Sequence, residues 1–330
     1  MESSLLLWLL SGDPAIVYLT HRDLLNAPGP TLAALREDIA LSGWGRRLLD
    51  ARDPGTGLWG GGVYSPKWTS THYTLLEMKN LGIDPRAPGF REGVLTLLNE
   101  MWPEGGLVRK GRYQDLCVAA MILGMCCYAG AASPKMDQIT DYILAHQFPD
   151  GGFNCAWARD AKSSSLHTTL TVLEAFHDCA QAGFAHRQAD RSAAVLAARE
   201  FILQKRLFRS MRTGEVIDKN MLMLSYPGRW RYDVLRCLDH FALSEAPWDG
   251  RMEEALSLVL QKRRKSGRWP VQHKHAGLTH FDPEPCGHDS RMNTLRVLRV
   301  LRRYNPALYA QMTKGSAGEA PPPRTPPLKG

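Results

Sequence analysis

One pattern recurs along the chain and limits its fold more than any other. It is an amphipathic helical stretch, a loop with Gly two residues before an aromatic or apolar residue, then a second helical stretch opening on small, aromatic and polar residues. The first unit runs through Leu48-Leu49-Asp50, Gly57-Leu58-Trp59 and Trp68 to Leu76, and the second through Leu97-Leu98-Asn99, Gly105-Gly106-Leu107 and Tyr113 to Cys117. The third holds Gln147-Phe148-Pro149-Asp150-Gly151-Gly152-Phe153 and Leu166-His167-Thr168-Thr169-Leu170. A fourth, degenerate unit joins Gln204-Lys205-Arg206-Leu207-Phe208 to Trp230-Arg231-Tyr232-Asp233-Val234-Leu235 after a long excursion. The fifth has Gln261, Gly267-Arg268-Trp269 and Asp289 to Leu295, and a partial unit opens at Asp13-Pro14. Units of this kind cannot bury their apolar faces alone, so neighbours must stack.

The second stretch of each unit is apolar on nearly every face, as in Val118 to Leu123, Leu170 to Ala175 and Val234 to Phe241. Such a helix is buried, whereas Arg91 to Glu100 and Arg191 to Lys205 carry charged faces and must be exposed on one side. One helix of each pair is therefore inner and the other outer. With no sustained period-two alternation, the pattern predicts an all-α fold, an α/α toroid of about five to six inner/outer pairs. One domain is expected over 1–312, with units at 48–82, 97–129, 140–179, 196–242 and 255–303 and a partial unit at 5–40. From 313 to 330 the chain is Pro-rich and reads as a disordered, solvated tail.

Hydrophobic residues at 44% and charged residues at 22% exclude a fibrous or wholly disordered chain. No apolar run approaches the roughly 20 residues that cross a bilayer. Met1-Glu2-Ser3-Ser4 opens with an acid where a secretory leader carries Lys or Arg. A cytoplasmic protein is expected, and the seven cysteines, an odd count, then read as free thiols or ligands. The excess of 41 basic over 33 acidic residues admits nucleic acid, anionic lipid or a phosphorylated ligand as partner. Nucleic acid is not expected, because the aromatics fall at inner-helix positions instead of interleaving with a basic stripe.

In the third and fifth units, Gln147 to Phe153 and Gln261 with Gly267-Arg268-Trp269 resemble the Gln-to-Trp repeat of squalene and terpene cyclases and protein prenyltransferase β subunits. The opening from Trp8 to Tyr18 looks like that of bacterial single-toroid members of the same superfamily. The motif also has a physical reason: Gly permits the tight turn, Asp150 can accept orphan backbone amides, and the aromatic wedges between helix pairs.

Inner-helix N-termini should converge on the mouth of a central cavity, where their dipoles favour an anion. Trp68, His72, Tyr73, Tyr113, Trp230 and Tyr232 are expected to wall that cavity with apolar and aromatic surface, joined by His288 and Asp289 from the insert before the last inner helix. Such a wall suits an isoprenoid or similar apolar ligand. Asp115-x-Cys117 opening one inner helix and His167 opening the next are similar to the zinc-binding positions of prenyltransferase β subunits. The resemblance implies a zinc cofactor at Asp115, Cys117 and His167, with Cys155 as a second thiolate. It also implies prenyl transfer to a zinc-activated thiol, for which Asp115, His167, Asp233 and Arg291 are the candidate catalytic residues. Arg291 would take the diphosphate of the prenyl substrate, while Arg296, Arg299, Arg302 and Arg303 read as a solvated outer face. The Asp-x-Asp-Asp acid motif of class II cyclases is absent, and the α subunit that protein prenyltransferases pair with would be a separate partner. A non-catalytic toroid that binds a ligand or partner stays open as the alternative.

Overall fold

The computed structural model describes residues 4–102, 106–108 and 112–314. The expected tail from 315 onward and Gly105 of the second unit lie outside the described residues. Fourteen helices carry the described chain: α1 (Ser4–Leu10), α2 (Pro14–Asp23), α3 (Gly29–Leu41), α4 (Gly43–Asp50), α5 (Thr71–Leu81), α6 (Phe90–Met101), α7 (Leu116–Tyr128), α8 (Pro134–Ala145), α9 (Leu166–Gln181), α10 (Gln188–Gln204), α11 (Val234–Leu243), α12 (Glu253–Gln261), α13 (Arg291–Tyr304) and α14 (Pro306–Thr313). Two antiparallel ladders of two-residue strands pin loop ends together, β1 (Leu107–Val108) with β2 (Arg112–Tyr113) and β3 (Trp269–Pro270) with β4 (Asp289–Ser290). The fold is all-α, and no described helix is long and apolar enough to cross a membrane.

The division into inner and outer helices follows the apolar pattern. On α7 every residue from Val118 to Cys127 is buried, whereas α10 buries only Arg191, Ala194, Ala198, Phe201 and Ile202. Helix α5 packs on α7, α7 on α9, α11 on α13, α13 on α2 and α2 on α5. Between α9 and α11 the link is ionic, with Arg236 bonded to Glu174 at 2.5 Å. These neighbour relations return to the helix they started from. On the outside, α6 lies against α5 and α7, α8 against α7, α10 against α9, α12 against α11 and α14 against α13.

The repeat is a repeated geometry as well as a repeated sequence. Trp59, Phe153 and Trp269 are all fully buried, and each donates its backbone N–H to a Thr hydroxyl of the following inner helix: Thr71 at 3.1 Å, Thr169 at 2.9 Å and Thr294 at 3.0 Å. Two residues earlier, Gly57, Gly151 and Gly267 take φ of +69°, +86° and +80°, the left-handed region that glycine enters without a Cβ clash. Asp150 clamps its turn as anticipated, accepting the Gly152 and Ser164 amides and the Ser164 hydroxyl. The degenerate fourth unit has no such glycine. Arg206 and Leu207 occupy the left-handed region themselves, at φ 44° and 70°, at a cost of about 1–2 kcal/mol per residue.

Candidate functional site

At the N-terminal end of α7 a cavity of about 830 Å³ opens between five segments. Val63 and Tyr64 come from the loop before α5, Met101 from the end of α6, and Leu107, Val108 and Tyr113 from the β1–β2 hairpin. The start of α7 adds Asp115 and Val118, and the loop before α9 adds Cys155 and Trp157. Arg112 and Arg159 supply positive charge to the lining and Glu100 a carboxylate. Trp157 is fixed as a wall: its ring lies 3.6 Å from that of His146 and 5.0 Å from that of Tyr113, and its indole N–H donates to Tyr142 at 3.2 Å.

Cys155 sits in this wall where two inner helices begin. Its sulfur accepts the backbone N–H of Cys117 at 3.2 Å and the hydroxyl of Thr168 at 3.3 Å. The neighbouring Cys117 thiol is the largest influence holding the Cys155 thiol below its usual range, against the opposing effect of burial. The Cys155 sulfur beside it, then burial, pushes the Cys117 thiol well up. Asp115 precedes α7 as its N-cap residue but gives no side-chain cap.

His167 turns to a different neighbour. Its Nδ1 accepts the Tyr232 amide at 2.8 Å and its ring lies edge-on to Trp230 at 5.4 Å. Burial, with Arg231 and Arg236 nearby, pushes its pKa down to about 4, so the ring is neutral at pH 7. Cys117 and Cys155 therefore meet, but His167 is engaged elsewhere. Among the described residues no group of three or more His, Cys, Asp or Glu side chains stands together as an ion cage.

The other aromatic candidates gather at a second point. The Lys67 ammonium lies over the rings of Tyr64, Trp68, Tyr73 and Trp230 at 5.4, 5.6, 5.9 and 5.8 Å. Beside it His72 is fully buried with neither ring nitrogen partnered, and burial followed by Lys67 pushes its pKa down to about 3. Trp68 donates to the carbonyl of Ala276 at 2.9 Å, tying the insert before α13 to the loop before α5. Tyr232 is buried, its hydroxyl donating to the Leu207 carbonyl at 2.6 Å. Asp233 caps α11 through the Arg236 amide at 2.9 Å, while its Oδ2 has no partner and burial raises its pKa to about 6.

Several expected roles take a different form. Arg291 donates to the Trp8 carbonyl at 3.0 Å and stacks 4.5 Å from that ring, which fastens α13 to α1. Asp289 pairs with Arg264 at 3.2 Å and Arg268 at 3.5 Å, and His288 is exposed. The outer-face reading of the α13 arginines is overturned for Arg299, which is buried and bonded to Asp239 at 2.7 Å and Asp23 at 2.6 Å. With Arg296 it lines a second cavity, of about 740 Å³, near the C-terminal ends of α5, α7 and α9, together with Lys79, Glu174, Asp178 and Arg236. This space is polar, its cations held by carboxylates: Lys79 pairs with Asp178 at 2.6 Å, Arg236 with Glu174 at 2.5 Å and Arg299 with Asp239 at 2.7 Å. Thr168, Trp157 and Lys67 escaped the sequence reading, although Thr168 stands next to His167 in the motif.

No protein-family model matches the chain, and no curated protein matches it either.

Proposed function

We propose that this chain is an α/α toroid that binds an elongated apolar small molecule of isoprenoid type in the cavity at the N-terminal end of α7. One observation carries it: about 830 Å³ of space walled by Val63, Tyr64, Met101, Leu107, Val108, Val118 and Trp157, with Arg112 and Arg159 in the lining. Sites of this size with a mainly apolar wall and a few placed polar groups are where small ligands bind. A prenyl diphosphate would lay its chain along the wall and its charge toward the two arginines. The toroid itself is supported by the way neighbour relations among α2, α5, α7, α9, α11 and α13 return to their start.

Zinc-assisted transfer of the prenyl group to a thiol is the chemistry that the prenyltransferase resemblance implies. It would draw on Asp115, Cys117 and Cys155, and His167 would first have to release the Tyr232 amide. The cavity supports binding, with catalysis a separate question.

Titrating the protein with farnesyl diphosphate while following tryptophan fluorescence tests the assignment. Saturable quenching that weakens at least about tenfold in Val118→Arg, which fills the cavity with a charge, is the expected result. Unchanged affinity in that variant would remove the cavity as the site.

A further inference from the structure

The second cavity, of about 740 Å³, is bordered by all six helices whose neighbour relations close on themselves, α2, α5, α7, α9, α11 and α13. Exposed Asn80 and Gln181, at the ends of α5 and α9, open it to solvent. Its lining carries seven Arg or Lys side chains against five Asp or Glu. Most of these charges close on one another, and Arg36 gives its donors to the Gly82 and Ile83 carbonyls and the Tyr128 hydroxyl. Arg229 and Arg296 keep donors unused. Arg229, in the loop before α11, has a side chain only 9% exposed. Its one ion-pair partner among the described residues, Glu77, stands 3.5 Å away and also accepts the Tyr226 hydroxyl at 3.1 Å. Arg296, on α13, is 13% exposed, and its nearest carboxylate, Asp239, is 3.7 Å away and already accepts two bonds from Arg299, at 2.8 and 2.7 Å. The Arg296 guanidinium lies 5.6 Å from the Tyr226 ring, so both arginines stand beside the bonded Tyr226–Glu77 pair.

A guanidinium offers five N–H donors, and one withdrawn from water needs acceptors for them. Among the described residues Arg229 donates one side-chain hydrogen bond, at 3.5 Å, and Arg296 donates none from its guanidinium. Arg229 is also held at φ 54°, in the left-handed region that a non-glycine residue occupies at a cost and that recurs at ligand clamps. Unused donors and surplus positive charge that face one cavity are what an anion needs. Two guanidiniums that reach in from different elements favour a phosphate. A carboxylate is planar and one fork saturates it, as Arg299 does for Asp239, whereas the three terminal oxygens of a phosphate monoester accept from both. The rest of the wall includes His177 and His240 beside Asn80 and Gln181, which suits a hydroxylated body better than a hydrocarbon chain.

We propose that this cavity binds a small hydroxylated phosphate monoester, such as a sugar phosphate. Arg229 and Arg296 grip the phosphate, and the polar wall toward the ends of α5 and α9 meets the hydroxyls. The site is separate from the cavity at α7 and takes a ligand of opposite character, so it stands whether or not a prenyl diphosphate binds there.

Calorimetric titration of the full chain at pH 7 with glucose 6-phosphate, inorganic phosphate and glucose tests the assignment. Glucose 6-phosphate should bind saturably and at least about tenfold more tightly than inorganic phosphate, and glucose alone should not bind. Arg229→Gln and Arg296→Gln should each weaken glucose 6-phosphate at least about tenfold, and Arg296→Lys should weaken it less than Arg296→Gln. Arg46→Gln, which removes an exposed cation of α4, should leave the affinity unchanged. Hydrogen exchange of the wild type gives the location without any variant having to fold: glucose 6-phosphate should slow the amides of residues 228–231 and leave those of β1 and β2 unchanged. No binding of either phosphate at about 10 mM overturns the proposal. So does an affinity that survives both arginine changes, or protection at β1 and β2 alone. Glucose binding as tightly as its phosphate would remove the role of the arginines, and inorganic phosphate binding as tightly would remove the hydroxylated body.

Discussion

The hydroxyl of Thr168 accepts the amide of Cys155 at 3.2 Å and returns its proton to the sulfur of the same residue at 3.3 Å. Two residues at a loop end and a helix start thus fix each other, and the sulfur gains a donor that cannot turn away without stranding the amide. Thr168→Val removes that donor while keeping the shape. Alkylation of Cys155 by iodoacetamide near pH 6.5 should slow by about three- to tenfold, with the pH midpoint moved upward. Thr168→Ser should restore it. An unchanged pH–rate profile in Thr168→Val would deny the hydroxyl this role.

Asp233 gives a pH signature of opposite sign to an ordinary paired carboxylate. Burial raises its pKa from 3.8 to about 6. Between those values the folded chain keeps a proton that the unfolded chain has lost. The stabilisation is therefore complete below pH 3.8 and is lost as pH rises through about 6. Asp233→Asn keeps an N-cap acceptor and removes the charge. Relative to wild type it should gain roughly 2–3 kcal/mol between pH 4 and pH 7.5, read from urea unfolding at the two pH values. A difference that stays flat with pH would show that the carboxyl is not held up.

The buried triad of Arg299 with Asp239 and Asp23 should behave as an ionic lock. Arg299→Met removes the nearest cation from Asp239, which keeps only Arg296 at 3.7 Å, and leaves Asp23 with Arg22 alone, both carboxylates being at 8% side-chain exposure. The expected loss is about 3–5 kcal/mol in chemical denaturation. Adding Asp239→Leu to that variant should recover part of it, since one stranded charge is removed. A loss below about 0.5 kcal/mol in the single variant would mean that water reaches the carboxylates.

His72 predicts a gain. Its ring is fully buried and both nitrogens lack partners, so the folded chain carries a desolvated polar group with nothing in return. His72→Phe should stabilise the protein by about 1–2 kcal/mol near pH 7. The advantage should widen as pH falls below 6.5, because the unfolded wild-type imidazole then takes up a proton that the folded ring, at about 3, refuses. Thermal melts at pH 7 and pH 5 measure both effects. A lower melting point in the variant at both values would mean that the ring bonds through water.

Local rules made much of the fold legible. The Gly-x-aromatic turns at Trp59, Phe153 and Trp269 could be found because each needs only a positive φ, a wedge and a following Thr, all close in sequence. The inner and outer helices followed from which faces carry charge. What stayed hidden depends on contacts between units. The arginines of α13 look like a solvated stripe when read along one helix, and only the approach of Asp23 from α2 and Asp239 from α11 turns Arg299 inward. Asp115, Cys117 and Cys155 were singled out by motif, and two of the three do meet. Thr168, which orients the sulfur, was passed over because a Thr at a helix start ordinarily reads as a cap.

The bond between Arg299 and Asp23 joins residues 276 positions apart. At about 5–20 residues per second, a ribosome that has just made α2 takes roughly 15–55 s more to deliver Arg299, which joins Arg22 on that carboxylate. Through that interval α2 can pack on α1, α3 and α4 and Asp23 can pair with Arg22, but the side of α2 that meets α13 stays uncovered. Birth of this protein is thus a race in which the first helices must stay unspent until the last ones leave the exit tunnel.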